Sequence, residues 1–160
     1  MWRRASYRSS AALLILAALV AACSSTKPVA SVDPNADVVI HYPVAGAGEI
    51  TFTVRPRYTT GAPITFQLDI SAGTVAVRGP VTGRVLASGL DGEKIVRTFS
   101  SAELGGTEVA AGQRQRVPVT WDAKDSDGKD VPAETYSLSL DFIIGAETQR
   151  YGTVIEVRAP

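Results

Sequence analysis

The chain has 160 residues, of which 45% are hydrophobic, 20% charged and 7% aromatic, and its 16 basic side chains balance 16 acidic ones. These proportions are typical of one globular domain, and a neutral balance supplies no basic face for a phosphate backbone, so nucleic-acid binding is not expected. A single Cys and a single His exclude a disulfide framework or a multi-ligand Cys/His metal site within one chain.

Residues 1–22 predict a cleaved export signal. Arg3, Arg4 and Arg8 precede an apolar run at residues 11–22, and Cys23 follows immediately. Twelve apolar residues span about 18 Å as a helix, which is short of the roughly 30 Å hydrocarbon core, so a permanent transmembrane helix is not expected. The alternatives are an ordinary secretory signal that ends near a Cys by coincidence, or a buried N-terminal helix.

The end of this signal, Val20-Ala21-Ala22-Cys23, resembles the lipobox of bacterial lipoproteins. The resemblance implies that Cys23 is acylated, for example with palmitate, and becomes the mature N-terminus of a membrane-anchored envelope protein. The next residue is Ser24, whereas Asp at that position resembles an inner-membrane retention signal. We therefore expect the periplasmic face of the outer membrane in a host with two membranes, and otherwise the outer face of the plasma membrane.

The remainder divides into a linker at residues 23–37 and a domain at residues 38–160. The linker is small, polar and interrupted by Pro28 and Pro34, which favours a semi-flexible spacer behind the lipidated end. In the domain, apolar and polar residues alternate with a period of two, as in half-buried strands. The predicted strands lie at residues 38–40, 50–54, 64–70, 75–77, 83–86, 95–99, 117–121, 136–142 and 151–157.

Eight or nine short strands separated by turn signals predict an all-β fold, an antiparallel β-sandwich of immunoglobulin or fibronectin-III type. Helical crossovers are not predicted, and residues 100–104 are expected to add at most one helical turn.

Residues 117–138 resemble a motif, W-D-G-x-D-x-x-G-x-x-V-P-x-G-x-Y, of the Ig-like domain of flagellar hook-capping proteins. Five residues carry the resemblance: Trp121, Asp122, Gly128, Pro132 and Tyr136. We expect Trp121 to plug the core and Tyr136 to bury its ring while its hydroxyl bonds to a backbone group. The chain departs from the motif at Ala123 and Glu134, where Gly is usual, which puts a left-handed backbone at Glu134 in doubt.

Residues 48–145 are also similar, more loosely, to the intracellular proteinase inhibitor family of bacilli, another Ig-like sandwich. Three functions follow from these observations. The first is a lipid-anchored module that binds a protein partner or has a structural role in the envelope. The second is a proteinase inhibitor acting through residues 70–92 or 100–113, and the third is a scaffold for assembly of an envelope or surface structure.

Four aspartates around Gly128 form a dense group of carboxylates, namely Asp122, Asp125, Asp127 and Asp130. Such oxygens suit Ca²⁺, but the EF-hand order and its closing Glu are missing, so a solvated turn with Asp side chains capping backbone N–H groups is favoured. No other metal and no cofactor is predicted.

The remaining candidates are a lone histidine and two pairs of arginines. His41 has no nucleophile pattern nearby and is expected on a surface or an edge strand, and no catalytic triad or carboxylate pair is indicated, so an enzyme is not expected. Arg55, Arg57, Arg114 and Arg116 lie at strand spacing. If their strands were neighbours, they would form a basic patch for an acidic partner or a polysaccharide carboxylate; otherwise they protect sheet surfaces from aggregation.

Overall fold

The computed structural model describes residue 33, residues 36–89 and residues 92–160 of the chain. Across these residues, a four-stranded sheet packs against a six-stranded sheet as a β-sandwich of Ig-like type, which confirms the predicted fold class. Within the same residues, no helix has the length and apolarity needed to cross a bilayer. The strands are β1 (Val38–Val44), β2 (Gly48–Val54), β3 (Arg57–Thr59), β4 (Ile64–Ser71), β5 (Val77–Gly89), β6 (Gly92–Ser100), β7 (Thr107–Val109), β8 (Arg114–Trp121), β9 (Thr135–Ile144) and β10 (Glu147–Arg158).

The four-stranded sheet has the order β1-β2-β4-β8, with every neighbouring pair antiparallel. Its alternation places apolar side chains inside and polar ones outside. On β4, for example, Leu68 and Ile70 are fully buried, whereas Gln67 and Asp69, which alternate with them, point outward and stay partly exposed.

The six-stranded sheet has the order β3-β10-β9-β5-β6, and β7 pairs with the first residues of β5. β3 runs parallel to β10, while the other pairs are antiparallel. β3 and β7 were not predicted from the sequence, because three residues are too few for alternation to show. The expected helical turn at residues 100–104 is present, with the Leu104 N–H donating to the carbonyl of Ser100 (3.2 Å).

The core lies between the sheets and takes alternate residues from both. Its largest fully buried side chains are Trp121, Tyr136, Phe52, Phe142, Ile50, Ile64, Leu68, Ile70, Leu104, Leu140, Ile155 and Val54. Burial of each such side chain contributes about 1.5–3 kcal/mol, so this core supplies the main favourable free energy of the fold. Tyr42 of β1 adds a polar link between the sheets by donating to the carbonyl of Gly152 in β10.

The predicted Trp–Tyr corner is confirmed at one end of the sandwich. The Tyr136 hydroxyl donates to the Pro132 carbonyl (2.9 Å), and the Trp121 indole N–H donates to the Lys124 carbonyl (2.8 Å). Their rings meet edge to face at 5.8 Å between centroids. The backbone at Ala123 is left-handed (φ 57°), whereas Glu134 is not among the positive-φ residues of the described chain. We call this end, where Val38 also begins the domain, the motif end.

The opposite end, which we call the glycine end, holds the turns at residues 45–47, 72–76, 110–113 and 145–146. Their backbones interlock: Thr74 N–H donates to the Gly46 carbonyl and Gly112 N–H to the Gly73 carbonyl, both at 2.7 Å. A Cβ on Gly73 would lie 1.8 Å from the Gly46 oxygen, so this approach requires glycine. The β1–β2 turn is therefore held firmly against its neighbours.

Ala47 in this turn has a left-handed backbone (φ 60°) although its side chain is exposed. A Cβ in that conformation costs about 1–2 kcal/mol, and the exposed methyl contributes little packing. Ala47→Gly should therefore raise the free energy of unfolding by about 1 kcal/mol in chemical denaturation. The matched control, Ala45→Gly, lies in the same turn without a positive φ and should be neutral or destabilising. Equal effects of the two substitutions would contradict the strained turn.

Tyr136→Phe should lower the free energy of unfolding at pH 7 by about 1 kcal/mol, because the hydrogen bond from the buried tyrosine to the Pro132 carbonyl is lost. Burial, followed by the charge of Glu134, raises the pKa of Tyr136 to about 12. An unfolded Tyr has a pKa of about 10. The stabilisation by the neutral Tyr136 hydroxyl is therefore fully present below pH 10 and is lost as the pH rises toward 12.

The stability difference between the wild type and Tyr136→Phe should accordingly narrow between pH 10 and 12. Chemical denaturation of both proteins at pH 8, 10 and 11.5 measures it. A difference that stays constant over this range would contradict the buried hydroxyl.

Candidate functional site

Polar side chains cover the outer face of the four-stranded sheet near its glycine end. They form two rows, because each row consists of residues paired directly across the strands. One row runs His41, Thr51, Asp69, Arg116, and the next runs Pro43, Glu49, Ser71, Arg114. We call this surface the polar face.

The polar face contains an open groove of about 710 Å³. This volume is in the range of ligand-binding clefts. Ile70 is the one large apolar residue among those that line it, and its side chain belongs to the core. The groove lining is Ala47, Gly48, Glu49, Thr51, Asp69, Ile70, Ser71, Arg114, Gln115 and Arg116. It therefore suits a polar ligand.

Arg114 and Arg116 form the basic side of the groove on the edge strand β8. The Nε of Arg116 donates to Oδ1 of Asp69 (2.8 Å), and the Nε of Arg114 donates to Oγ of Ser71 (3.2 Å). In the described chain, no hydrogen bond engages the terminal nitrogens of either guanidinium. Each arginine is thus held in place by its Nε and keeps two terminal donors for a ligand.

Glu49 and Thr51 form the opposite side of the groove, and His41 lies within hydrogen-bond distance of both. Oε1 of Glu49 lies 3.1 Å and Oγ1 of Thr51 lies 3.3 Å from the same ring nitrogen, Nδ1 of His41, and Thr51 also donates to Glu49 (2.9 Å). The hydrogen bonds from His41 and then Thr51 lower the pKa of Glu49. A catalytic relay needs the hydroxyl and the carboxylate on different ring nitrogens, and these three residues do not have that arrangement.

The structure does not form the four-arginine patch. β4 separates β2 from β8, and Arg57 lies on β3 in the other sheet, so the two pairs of arginines are not neighbours. Arg55 Nε lies 3.6 Å from Asp37, and Arg57 Nε lies 3.1 Å from Glu156. The condition for a basic patch, that these strands are neighbours, is not met for the set of four. Strand spacing identifies a shared face without specifying which strands are adjacent.

The four aspartates near Gly128 lie in a turn that satisfies its own backbone. Asp125 Oδ1 accepts from the N–H groups of Asp127 and Lys129, both at 2.9 Å, and Asp122 Oδ1 accepts from Lys124 N–H (3.2 Å). The Lys124 ammonium pairs with the Asp130 carboxylate (3.1 Å). In the described residues no group of three His, Cys, Asp or Glu side chains is arranged to hold a metal. These contacts are those of the predicted turn, in which Asp side chains cap backbone N–H groups.

Asp141 is the centre of a polar cluster that sequence reasoning missed, on the outer face of the six-stranded sheet. It accepts two hydrogen bonds from Arg150 (2.6 and 3.1 Å) and one from Thr82 (2.8 Å). The Arg150 bonds lower the pKa of Asp141, which outweighs its burial. This cluster links the strands β5, β9 and β10. Both carboxylate oxygens of Asp141 already accept hydrogen bonds from these side chains.

Two predictions concern segments rather than clusters. Cys23 lies outside the described residues, so its acylation stays a prediction. In the proposed inhibitory segment 100–113, the Glu103 carboxylate caps the Ser100 N–H (2.8 Å) and Gly112 N–H bonds to Ala72 and Gly73. This segment is fastened to the body of the domain.

No family model matches the chain, and no curated protein matches it. Distant likenesses exist among solved structures. One is the Pseudomonas fluorescens alkylpurine DNA glycosylase AlkC bound to DNA containing an abasic site analogue. The match covers 65% of this chain and 28% of AlkC, with 14% sequence identity and a TM-score of 0.45. For murine CRIg the values are 6% identity, 78% of this chain, 98% of that one and a TM-score of 0.37. The match to Spo0M, a sporulation control protein from Bacillus subtilis, has 13% sequence identity and a TM-score of 0.41, and it covers 78% of this chain and 49% of Spo0M.

Proposed function

We propose that this protein is a lipid-anchored envelope lipoprotein whose β-sandwich is a non-catalytic binding module. The observation that carries the proposal is the position of the chain's one Cys, directly after a basic segment, an apolar run and Val20-Ala21-Ala22. Several acyl chains on Cys23 would make attachment stable, whereas a single chain binds a membrane only marginally.

The arrangement of the domain supports this proposal. The chain begins its first strand at Val38 on the motif end, and the groove on the polar face lies at the glycine end. β1 has seven residues, which separate the two ends by about 20 Å. A 15-residue linker has an end-to-end distance of about 20 Å, so an anchored domain stays close to the bilayer. Within the domain, the groove lies at the end opposite to Val38, and we propose that it faces other envelope components there.

Anchoring also has an energetic consequence. Confinement to a membrane surface raises the effective concentration of the module toward anything fixed in the same envelope, so a modest intrinsic affinity is sufficient for stable association. An open, polar groove is consistent with such a modest affinity. The alternatives of protease inhibition and of an assembly scaffold both remain compatible with the anchor, but the fastened segment 100–113 gives inhibition no specific support.

Cys23→Ala tests the anchor. Cells that express the wild type should incorporate labelled palmitate into the protein and retain it in the membrane fraction, whereas Cys23→Ala should lose the label and leave the membrane. Ser24→Ala is the matched control because it keeps the Cys, and it should remain labelled. An unlabelled wild type, or label retained by Cys23→Ala, would contradict the proposal.

A further inference from the structure

We infer that the groove on the polar face binds a carboxylate-bearing polysaccharide, with Arg114 and Arg116 as its carboxylate receptors. The inference deepens the proposed function, because it rests on the module being exposed to envelope polymers. It depends on three features of the groove: the free ends of the two guanidiniums, the spacing of its hydroxyls and carboxylates, and its lack of apolar anchors.

The guanidiniums supply the recognition of charge. Their Nε atoms bind Ser71 and Asp69, which fixes the direction of each side chain across the sheet. The terminal nitrogens remain exposed, and the Arg116 side chain is 71% accessible. A planar pair of N–H donors matches the two oxygens of a carboxylate, and little side-chain entropy remains to be lost because the forks are already oriented.

The strands β2 and β4, next to β8, supply hydrogen-bonding partners for the hydroxyl groups of a sugar chain. Glu49 and Thr51 on β2 and Asp69 and Ser71 on β4 present carboxylate and hydroxyl oxygens to the groove. Adjacent strands are about 4.8 Å apart, and outward residues on one strand are about 7 Å apart, so acceptors and donors form a regular lattice. A sugar chain carries hydroxyls along its whole length and engages such a lattice, with its carboxylates at the β8 edge.

Charge and shape disfavour the other classes of polymer. Glu49 and Asp69 balance the two arginines, so binding needs partners for hydroxyl groups as well as charge, and a DNA backbone offers no free hydroxyls along its length. Apart from Ile70, whose side chain is buried in the core, the lining also lacks the aromatic and large aliphatic anchors that dominate protein–protein affinity. A polymer that carries hydroxyl groups as well as carboxylates fits both constraints.

Polygalacturonate is the probe for this inference, and its fully methyl-esterified form is the neutral control. With the full-length protein in detergent micelles, calorimetry should detect binding of polygalacturonate and at least a tenfold weaker interaction with the ester. Polyglutamate and a single-stranded DNA oligonucleotide should compete poorly. Absence of polygalacturonate binding, equal binding of the ester, or equal competition by either other polyanion would overturn the inference.

The substitutions locate the site. Arg114→Gln with Arg116→Gln should weaken binding by about tenfold or more, because two charge-assisted contacts are lost. Arg114→Lys with Arg116→Lys keeps the charge without the fork and should still lose several-fold in affinity. The control, Arg78→Gln with Lys129→Gln, removes the same charge at two positions outside the groove and should bind as the wild type does. Equal weakening by the control would overturn the assignment.

This inference and the proposed anchor fail in different ways. A chain that carries the lipid but does not bind polygalacturonate leaves the anchor standing and overturns the inference. A chain that binds polygalacturonate but carries no lipid overturns the anchor and leaves the groove assignment standing.

Discussion

The register of β4 between β2 and β8 is the constraint on which both the core and the groove depend. It pairs Leu68 with Phe52 and Val117 on the buried side, and it pairs Asp69 with Arg116 on the outer side. A slip of one residue would move the Asp69 carboxylate into the core and Leu68 into water. The burial of the apolar set therefore also fixes the order of charges across the polar face.

The two ends of the sandwich keep this register from shifting, by different means. At the motif end, Trp121 and Tyr136 pack edge to face between the sheets, and both polar tips bond to backbone carbonyls. At the glycine end, Gly73 and Gly46 bring two turns into backbone contact. With both ends fixed, the side chains of the polar face have a rigid base, and rigidity lowers the entropy cost of binding.

Local sequence patterns predicted the elements well and their arrangement poorly. Alternation identified every strand of the described chain except β3 and β7, and the Trp121–Tyr136 corner followed from its motif, because each depends on residues close in sequence. β3 and β7 have only three residues each, so no periodic pattern marks them. The predicted strands at 75–77 and 83–86 both overlap the single long strand β5. The two pairs of arginines are not neighbours because β4 lies between β2 and β8, which is a long-range pairing that spacing does not encode.

The groove shows the same division between local and long-range information. Alternation marks Glu49, Asp69 and Arg116 as outward residues, but the bond from Arg116 to Asp69 joins positions 47 residues apart and depends on the topology.

The left-handed backbone lies at Ala123, where the turn after Trp121 reverses, and Glu134 does not share it. Only the folded chain distinguishes the two positions.

A map of the ligand-contacting surface tests the groove assignment most directly. Amide chemical shifts of the isotopically labelled full-length protein in micelles, recorded during addition of polygalacturonate, report which strands the polymer touches. We predict the largest shifts at Thr51, Asp69, Ser71, Arg114 and Arg116, with the six-stranded sheet unchanged. Shifts centred on residues 122–130 or on the six-stranded sheet would contradict the assignment.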